Sequence, residues 1–142
     1  MENKDIHSIV SETICTFLHT GTASGYKDEN NSNNKKIIKK NISDINKVQS
    51  DIDKNVYITD VFNTDERGVL KCLLMELNAS SIKCVLNSDE IYIVLEGSLI
   101  AESNQNRTEA KQGEIVSALK GDCINFSTPF YAKFLRVVCS NN

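Results

Sequence analysis

From Val56 to Val138 the chain consists of short runs rich in β-branched and aromatic residues, separated by clusters of Asn, Asp, Gly and Ser. The clusters recur at intervals of about ten residues, which is typical of an all-β domain. The runs read VYITDVF, GVLKCLLMEL, SIKCVL, EIYIVLEG, SLIAES, RTEAKQG, EIVSAL, CINFS and YAKFLRVV. Because no helical segment separates them, the pattern predicts about eight or nine short strands in a sandwich or barrel.

Alternation within the fourth run separates the two faces of its strand. One face holds Glu90, Tyr92 and Val94, and the other holds Ile91, Ile93 and Leu95. Gly97 predicts a tight hairpin between this run and SLIAES, because glycine tolerates turn conformations. The triplet KGD at 120–122 predicts a further turn before a strand.

The amino-terminal part of the chain has a different pattern. Residues 5–19 carry apolar side chains at helical spacing, which predicts an amphipathic helix within residues 1–19, with Asn3 or Asp5 as its cap and Gly21 after its end. Residues 20–34 are rich in Gly, Ser and Asn and predict a flexible linker. A helix of about 15 residues is marginal alone in water, so we expect a partner surface for its apolar stripe. The stripe consists of Ile6, Ile9, Val10, Ile14, Phe17 and Leu18.

The segment 35–55 is transitional between the linker and the β region. KKIIKK at 35–40 predicts an exposed edge strand, with a patch for anions as the alternative. ISDINKVQSDI predicts a short helix capped by Ser43 or Asp44.

Composition excludes several classes of function. The chain has 142 residues, which fits one domain with an appendage. It shows no apolar run long enough to span a membrane and no secretory signal. The net charge of −3 argues against nucleic acid as a partner. Five scattered cysteines without a CxxC spacing indicate reduced, buried thiols in the cytoplasm rather than a zinc cluster.

Two segments resemble the signature motifs of the cupins. The first cupin motif is G-x5-H-x-H-x3,4-E-x6-G, and Glu90 and Gly97 stand at its E-x6-G spacing. The second is G-x5-P-x-G-x2-H-x3-N, whose glycines Gly113 and Gly121 match, with Leu119 in place of the proline.

The resemblance is closer to one cupin subgroup, the ethanolamine utilisation protein EutQ family. LNSDEIYIVLEG at 86–97 is similar to that family's first motif, GEIVSALKGDCINFSTP at 113–129 to its second, and AKFLRVV at 132–138 to its closing strand. The resemblance implies a mainly β fold, a cupin-type double-stranded β-helix (jelly-roll barrel) over residues 35–142, preceded by the short amphipathic helix. It also implies a cytoplasmic homodimer of a bacterial microcompartment, acetate kinase activity, and ATP with Mg²⁺ as substrate rather than a tightly bound cofactor.

The resemblance also indicates that the metal site of other cupins is missing. The positions of their histidine ligands are occupied by Cys84, Leu86 and Ile124, and only Glu90 of the ligand set remains. Both histidines, His7 and His19, precede the linker. Neutral imidazoles with a carboxylate are what such a metal centre needs. We therefore expect no metal.

Glu90 is the candidate catalytic residue, since a carboxylate inside an apolar barrel suits general acid or base work. The alternative is a structural glutamate satisfied by backbone amides or by a tyrosine hydroxyl, for which Tyr92 on the same face is a candidate. Lys83, Lys120 and Lys133 are candidate cations for phosphoryl transfer. The other pocket candidates are Cys84, Leu86, Ile124, Asn125 and Phe126, with Tyr131 as a further polar contact.

Two functions follow from this reading. The first is a EutQ-like enzyme of ethanolamine catabolism, and the second is a non-catalytic cupin that serves as a scaffold or binds a small molecule. For the amino-terminal helix, docking on microcompartment shell proteins, packing within a dimer and fraying remain as alternatives.

Overall fold

The computed structural model describes residues 37–62 and 70–139. The predicted helix over residues 1–19, with the apolar stripe assigned to partner binding, lies outside the described residues. The whole of the predicted linker over 20–34 lies outside them as well. No helix in the described ranges is long and apolar enough to cross a membrane.

Eight strands and one short 3-10 helix make up the described part of the chain. The 3-10 helix is Ile42–Asp44. The strands are β1 (Val56–Phe62), β2 (Leu70–Asn78), β3 (Ser81–Val85), β4 (Glu90–Glu102), β5 (Arg107–Lys111), β6 (Ile115–Ala118), β7 (Cys123–Ser127) and β8 (Tyr131–Cys139). All pairings between them are antiparallel, in the order β1-β2-β8-β4-β7-β3, with β5 and β6 also pairing with β4. The mainly β, curled architecture confirms the barrel that the spacing of the runs predicts and the jelly roll that the cupin resemblance implies.

The long strand β4 connects the two halves of the barrel. Its first part, through Gly97, pairs with β8 and β6, and the part from Ser98 onward pairs with β5 and β7. Its register with β8 shifts between Val94 and Glu96, which marks a bulge. The predicted hairpin at Gly97 is therefore wrong, because one continuous strand passes through this glycine.

Close backbone contact explains why this position is glycine. Gly97 has φ +73°, and a Cβ atom there would lie 2.0 Å from the carbonyl oxygen of Tyr131. Only a residue without a side chain lets β4 approach β8 this closely at the bulge.

The barrel interior is filled by inward-facing side chains from nearly every strand. Met75 and Leu77 of β2 point inward, and so do Ala132 and Phe134 of β8. Among the described residues, this buried cluster consists of Val56, Leu73, Met75, Leu77, Leu86, Tyr92, Val94, Leu99, Ala101, Ala110, Ala118, Ile124, Phe126, Ala132 and Phe134. We call the opposite side of β1, β2, β8 and β4 the outer face.

The segment 37–55 differs from both predictions made for it. Ile37–Lys40 is not a strand, and the predicted helix is reduced to the single turn Ile42–Asp44, whose cap is Asn41. No residue between positions 37 and 55 is buried. The segment lacks the buried apolar face that would stabilise a longer element. Backbone hydrogen bonds, including Ile58 N–H to the Val48 carbonyl at 2.9 Å, hold it beside β1.

Candidate functional site

The first residues of β4 and the last residues of β8 bring a carboxylate and a guanidinium together inside the barrel. Glu90 is 3% exposed, and its side chain faces inward with those of Tyr92 and Val94. Arg136 pairs with Tyr92 across the β4–β8 ladder, which places it diagonally from Glu90 on the same face. We call Glu90, Tyr92, Arg136 and the neighbouring Cys84 the inner site.

Arg136 forms a bidentate ion pair with the carboxylate of Glu90 through two of its nitrogens. Its Nε donates to Oε2 and its Nη2 donates to Oε1, both at 2.6 Å. This fork geometry is the strongest arrangement that an arginine and a carboxylate form. The Arg136 side chain remains 24% exposed, whereas that of Glu90 is 2% exposed. Arg136 is therefore the member of the pair that solvent can reach.

Tyr92 supplies the third donor to the same carboxylate. Its hydroxyl donates to Oε2 of Glu90, which is the contact that their shared strand face predicted. Burial and the hydrogen bond to Glu90 raise the pKa of Tyr92, so the phenol stays protonated. The Tyr92 ring stacks at a tilt on Phe126, with 4.3 Å between the ring centroids.

Charge pairing and burial fix the protonation of the rest of the inner site. Burial alone would lower the pKa of Arg136, but the hydrogen bond and the charge of Glu90 outweigh it and the pKa rises. Burial raises the pKa of the Cys84 thiol, and Arg136 only partly opposes this. Cys84 is therefore a protonated, weakly nucleophilic group.

The structure brings most, but not all, of the predicted pocket residues together. Leu86, Ile124 and Phe126 are buried in the barrel core beside Tyr92, and Cys84 packs against this core. Asn125 lies between Ile124 and Phe126 in β7, so alternation turns its side chain to the opposite face.

Tyr131 does not reach the inner site either. Its hydroxyl donates to Oε2 of Glu76 at 3.1 Å, on the outer face of the sheet. Its place in the sequence, two residues after the only proline, gave no information about which face it would occupy.

The three lysines named as candidate cations lie elsewhere. Lys133 forms an ion pair with Glu96 at 3.3 Å on the outer face, and Lys83 and Lys120 are exposed. The cation of the inner site is Arg136, which the sequence analysis missed. Period-two alternation would have found it, because Ala132, Phe134 and Arg136 share one face of β8.

Across the described ranges, no three His, Cys, Asp or Glu side chains come together as a group that could hold a metal ion. Arg136 occupies the space around Glu90 in which a cation would otherwise be bound, and its fixed positive charge opposes a second one.

Comparison with known proteins gives consistent matches. The family model described as ethanolamine utilisation protein EutQ matches residues 3–142. A protein of Clostridioides difficile named acetate kinase EutQ is 37% identical over 82 residues, which is 58% of this chain and 52% of that protein. The chain thus spans about half the length of this curated relative.

Solved structures agree with the sequence matches. The Clostridium difficile EutQ protein superposes with a TM-score of 0.58 at 34% identity, over 61% of this chain and 64% of that chain. A cupin superfamily protein of Desulfitobacterium hafniense superposes with a TM-score of 0.55 over 61% of this chain and 78% of that chain. At 10% identity, the second likeness shows the fold alone.

Proposed function

The chain belongs to the ethanolamine utilisation protein EutQ family, and from this premise we propose that its inner site transfers a phosphoryl group from ATP to acetate. The name of the Clostridioides difficile relative, acetate kinase EutQ, supports this reaction class. The observation that carries the proposal is Arg136 inside the barrel, with about a quarter of its side chain exposed to solvent and its guanidinium held by Glu90. Phosphoryl transfer depends on such a positioned cation.

The bonds that form and break in this reaction indicate the roles of Arg136 and Glu90. One carboxylate oxygen of acetate attacks the γ-phosphorus, a new P–O bond forms, and the bond to the leaving ADP breaks. Acetate enters already ionised, so no proton moves and no general base is required. Arg136 therefore binds anionic oxygens, and Glu90 is a positioning residue that orients Arg136 rather than a base.

Mg²⁺ accompanies the nucleotide as part of the substrate. When bound, it would neutralise charge on the phosphates. Mg²⁺ prefers oxygen ligands, and the phosphates of the nucleotide supply several of them. Tyr92, protonated and bonded to Glu90, keeps the carboxylate in the plane that Arg136 recognises.

The test is formation of acetyl phosphate by the purified full chain from acetate, ATP and MgCl₂. Arg136→Lys should lower kcat/KM by about 100-fold or more, because lysine cannot reproduce the two-nitrogen contact. Glu90→Gln should lower it by a smaller factor. Lys71→Ala, which breaks an exposed ion pair with Asp60, serves as the matched control and should behave as wild type. Absence of acetyl phosphate above the no-enzyme rate would refute the proposal.

A second candidate function is supported by the hydrogen bonds within the inner site, which already pair its polar groups with one another. The Glu90 carboxylate accepts three donors, and Leu86, Ile124 and Phe126 pack the barrel around it. This suits a non-catalytic cupin that binds a small anion at Arg136 or serves as a scaffold. Saturable binding of acetate without turnover, lost in Arg136→Lys, would favour the binding module over the kinase.

We also propose that the protein is a homodimer located in the bacterial microcompartment of the cytoplasm. The apolar stripe and the linker of the amino-terminal sequence support docking on shell proteins. Residues 1–35 fused to a fluorescent reporter should form puncta in cells that make the shell, and diffuse fluorescence would contradict docking. Sedimentation velocity of the full chain tests the dimer, which a single monomer peak would exclude.

A further inference from the structure

A second buried carboxylate lies on the outer face, away from the inner site. Glu76 stands in β2 between Met75 and Leu77, which both point into the core, so its own side chain points outward. It is nevertheless only 2% exposed. A carboxylate buried on the outer face of a sheet needs hydrogen-bond donors for both of its oxygens.

Only one oxygen of Glu76 has its donors. Oε2 accepts from Lys47 Nζ at 2.6 Å and from the Tyr131 hydroxyl at 3.1 Å. Oε1 is buried, and among residues 37–62 and 70–139 it has no hydrogen-bond partner. Lys133, opposite Glu76 in the β2–β8 register, makes its ion pair with Glu96 instead. The site is thus complete for a cation on Oε2 and lacks one donor at Oε1.

The cation on Oε2 comes from an exposed side chain of the segment that lies beside β1. The side chain of Lys47 is 56% exposed, against 2% for Glu76. Lys47 belongs to the segment 37–55, in which no residue is buried. Removing the Lys47 side chain breaks its contacts with Glu76 and the Tyr57 ring, while the backbone hydrogen bonds of Val48 still hold the segment on β1. Glu76 and Tyr131, by contrast, are fixed in adjacent positions of the barrel wall by β2 and β8.

The surroundings of the Lys47 ammonium are those of an organic cation site. Nζ lies 2.6 Å from Oε2 of Glu76, the oxygen that also accepts from the Tyr131 hydroxyl, and 5.8 Å from the Tyr57 ring centroid. Aromatic faces at this distance attract cations. The hydrogen bond to Glu76 raises the pKa of Lys47, and burial with the charge of Glu76 raises that of Tyr131, so both groups remain donors.

We propose that Glu76, Tyr131 and Tyr57 form a binding site for a small primary ammonium compound, and that Lys47 occupies it as a tethered ligand. A free ammonium group that replaces Lys47 on Oε2 keeps the charge of the site unchanged. The unpartnered Oε1 selects a compound with a second donor, an O–H or N–H group, close to its ammonium. Anions are excluded, because Oε1 is itself an acceptor with no hydrogen to offer.

The experiment removes the tether and supplies the ammonium from solution. Full-length Lys47→Ala is titrated with 2-hydroxyethylammonium, ethylammonium or tetramethylammonium chloride at constant ionic strength, and Tm is recorded. The first two should raise Tm saturably and the third should not, since it has no N–H. One extra hydrogen bond at Oε1 corresponds to about a tenfold lower dissociation constant for 2-hydroxyethylammonium than for ethylammonium. Wild type should respond far more weakly, because Lys47 competes at high effective concentration.

Two further variants separate this site from general salt effects. Glu76→Gln in the Lys47→Ala background should abolish the response. Lys71→Ala, which also loses one lysine from an ion pair, should respond only as weakly as wild type. Equal responses to all three salts, or an unchanged response in the double variant, would overturn the proposal. Equal affinity for the two primary amines would overturn the role of Oε1. If Lys47→Ala does not fold, Lys47→Met keeps the aliphatic stem, and the same outcomes apply.

Discussion

At the scale of single residues, the feature with the largest expected effect on stability is the ion pair between Arg136 and Glu90 inside the barrel. A buried ion pair stabilises little relative to apolar side chains, but losing one partner leaves an uncompensated charge in the core. This asymmetry makes each partner dependent on the other. It also explains how a carboxylate with 2% side-chain exposure is tolerated among aromatic and aliphatic groups.

Arg136→Met should therefore lower the free energy of unfolding by about 3–5 kcal/mol. The measurement is urea unfolding at neutral pH. Lys71→Ala is the control, because its pair with Asp60 is exposed and should contribute under about 1 kcal/mol. The double variant Glu90→Leu/Arg136→Met should regain most of the loss. A loss no greater than that of Lys71→Ala would show that Glu90 is not buried as described.

The identity of Arg136 also shows what residue-level reading can miss. Glu90 was found because it stands at a recognisable spacing before Gly97, and Tyr92 followed from alternation. Arg136 was missed because charged residues near the end of a strand are usually exposed, and only the alternation from Phe134 indicates otherwise. Lys83, Lys120 and Lys133 were named instead, although each lies away from the inner site.

At the scale of secondary-structure elements, local pattern predicted most of the strands. VYITDVF and CINFS coincide with β1 and β7, because alternating β-branched and aromatic residues bounded by turn formers have few other stable conformations. The segment 37–55 was predicted poorly, since none of its residues is buried and its contacts with β1 come from scattered backbone groups and lysine side chains rather than from a periodic apolar face.

The hairpin predicted at Gly97 is the wrong secondary-structure prediction whose cause is clearest. A glycine between two apolar runs fits a hairpin and equally fits a bulge where another backbone approaches. The bulge rather than the hairpin forms here because the carbonyl oxygen of Tyr131 occupies the space that a Cβ atom at position 97 would need. Tyr131 lies 34 positions later in the chain. No window around position 97 contains that information.

Gly97→Ala should accordingly be far more damaging than Gly113→Ala. Both glycines have positive φ, +73° and +86°, but nothing lies within 4 Å of a Cβ atom at Gly113. Gly113→Ala should cost about 1–2 kcal/mol, the strain of left-handed backbone alone. Gly97→Ala adds a steric clash with β8 and should exceed about 4 kcal/mol or prevent folding. Thermal unfolding and soluble yield, compared side by side, measure this, and equal losses would contradict the close approach.

At the scale of the whole molecule, the barrel carries buried polar groups on both sides of one sheet. Glu90 with Arg136 lies inside, and Glu76 with Lys47 lies on the outer face. Tyr92 donates to the first carboxylate and Tyr131 to the second. Except for Glu90 and Tyr92, which are two residues apart in β4, the paired residues are separated by 29 to 55 positions in the sequence. The network therefore exists only once the strands have paired.

This network makes the stability of the protein sensitive to alkaline pH. Burial and hydrogen bonding raise the pKa of Tyr92 and Tyr131 above the ordinary 10.0, and the hydrogen bond to Glu76 raises that of Lys47 above 10.5. Above about pH 10 the unfolded chain releases these protons while the folded chain retains them. The unfolded state then binds fewer protons, so the free energy of unfolding falls as pH rises.

Tyr92→Phe isolates the contribution of the most buried of these groups. At pH 7 the variant should be less stable by about 1–2 kcal/mol, because Glu90 loses a donor. Above about pH 10 wild type should lose up to about 1.4 kcal/mol per pH unit through Tyr92 alone, and the variant lacks this loss. The difference between the two proteins should therefore shrink with pH, and it should reverse once the wild-type loss exceeds the missing hydrogen bond. Phe134→Leu, destabilised without any titrating group, should instead stay parallel to wild type. Urea unfolding between pH 7 and 11 distinguishes these results, and a constant gap for Tyr92→Phe would mean that Tyr92 ionises as freely in the folded barrel as in the unfolded chain.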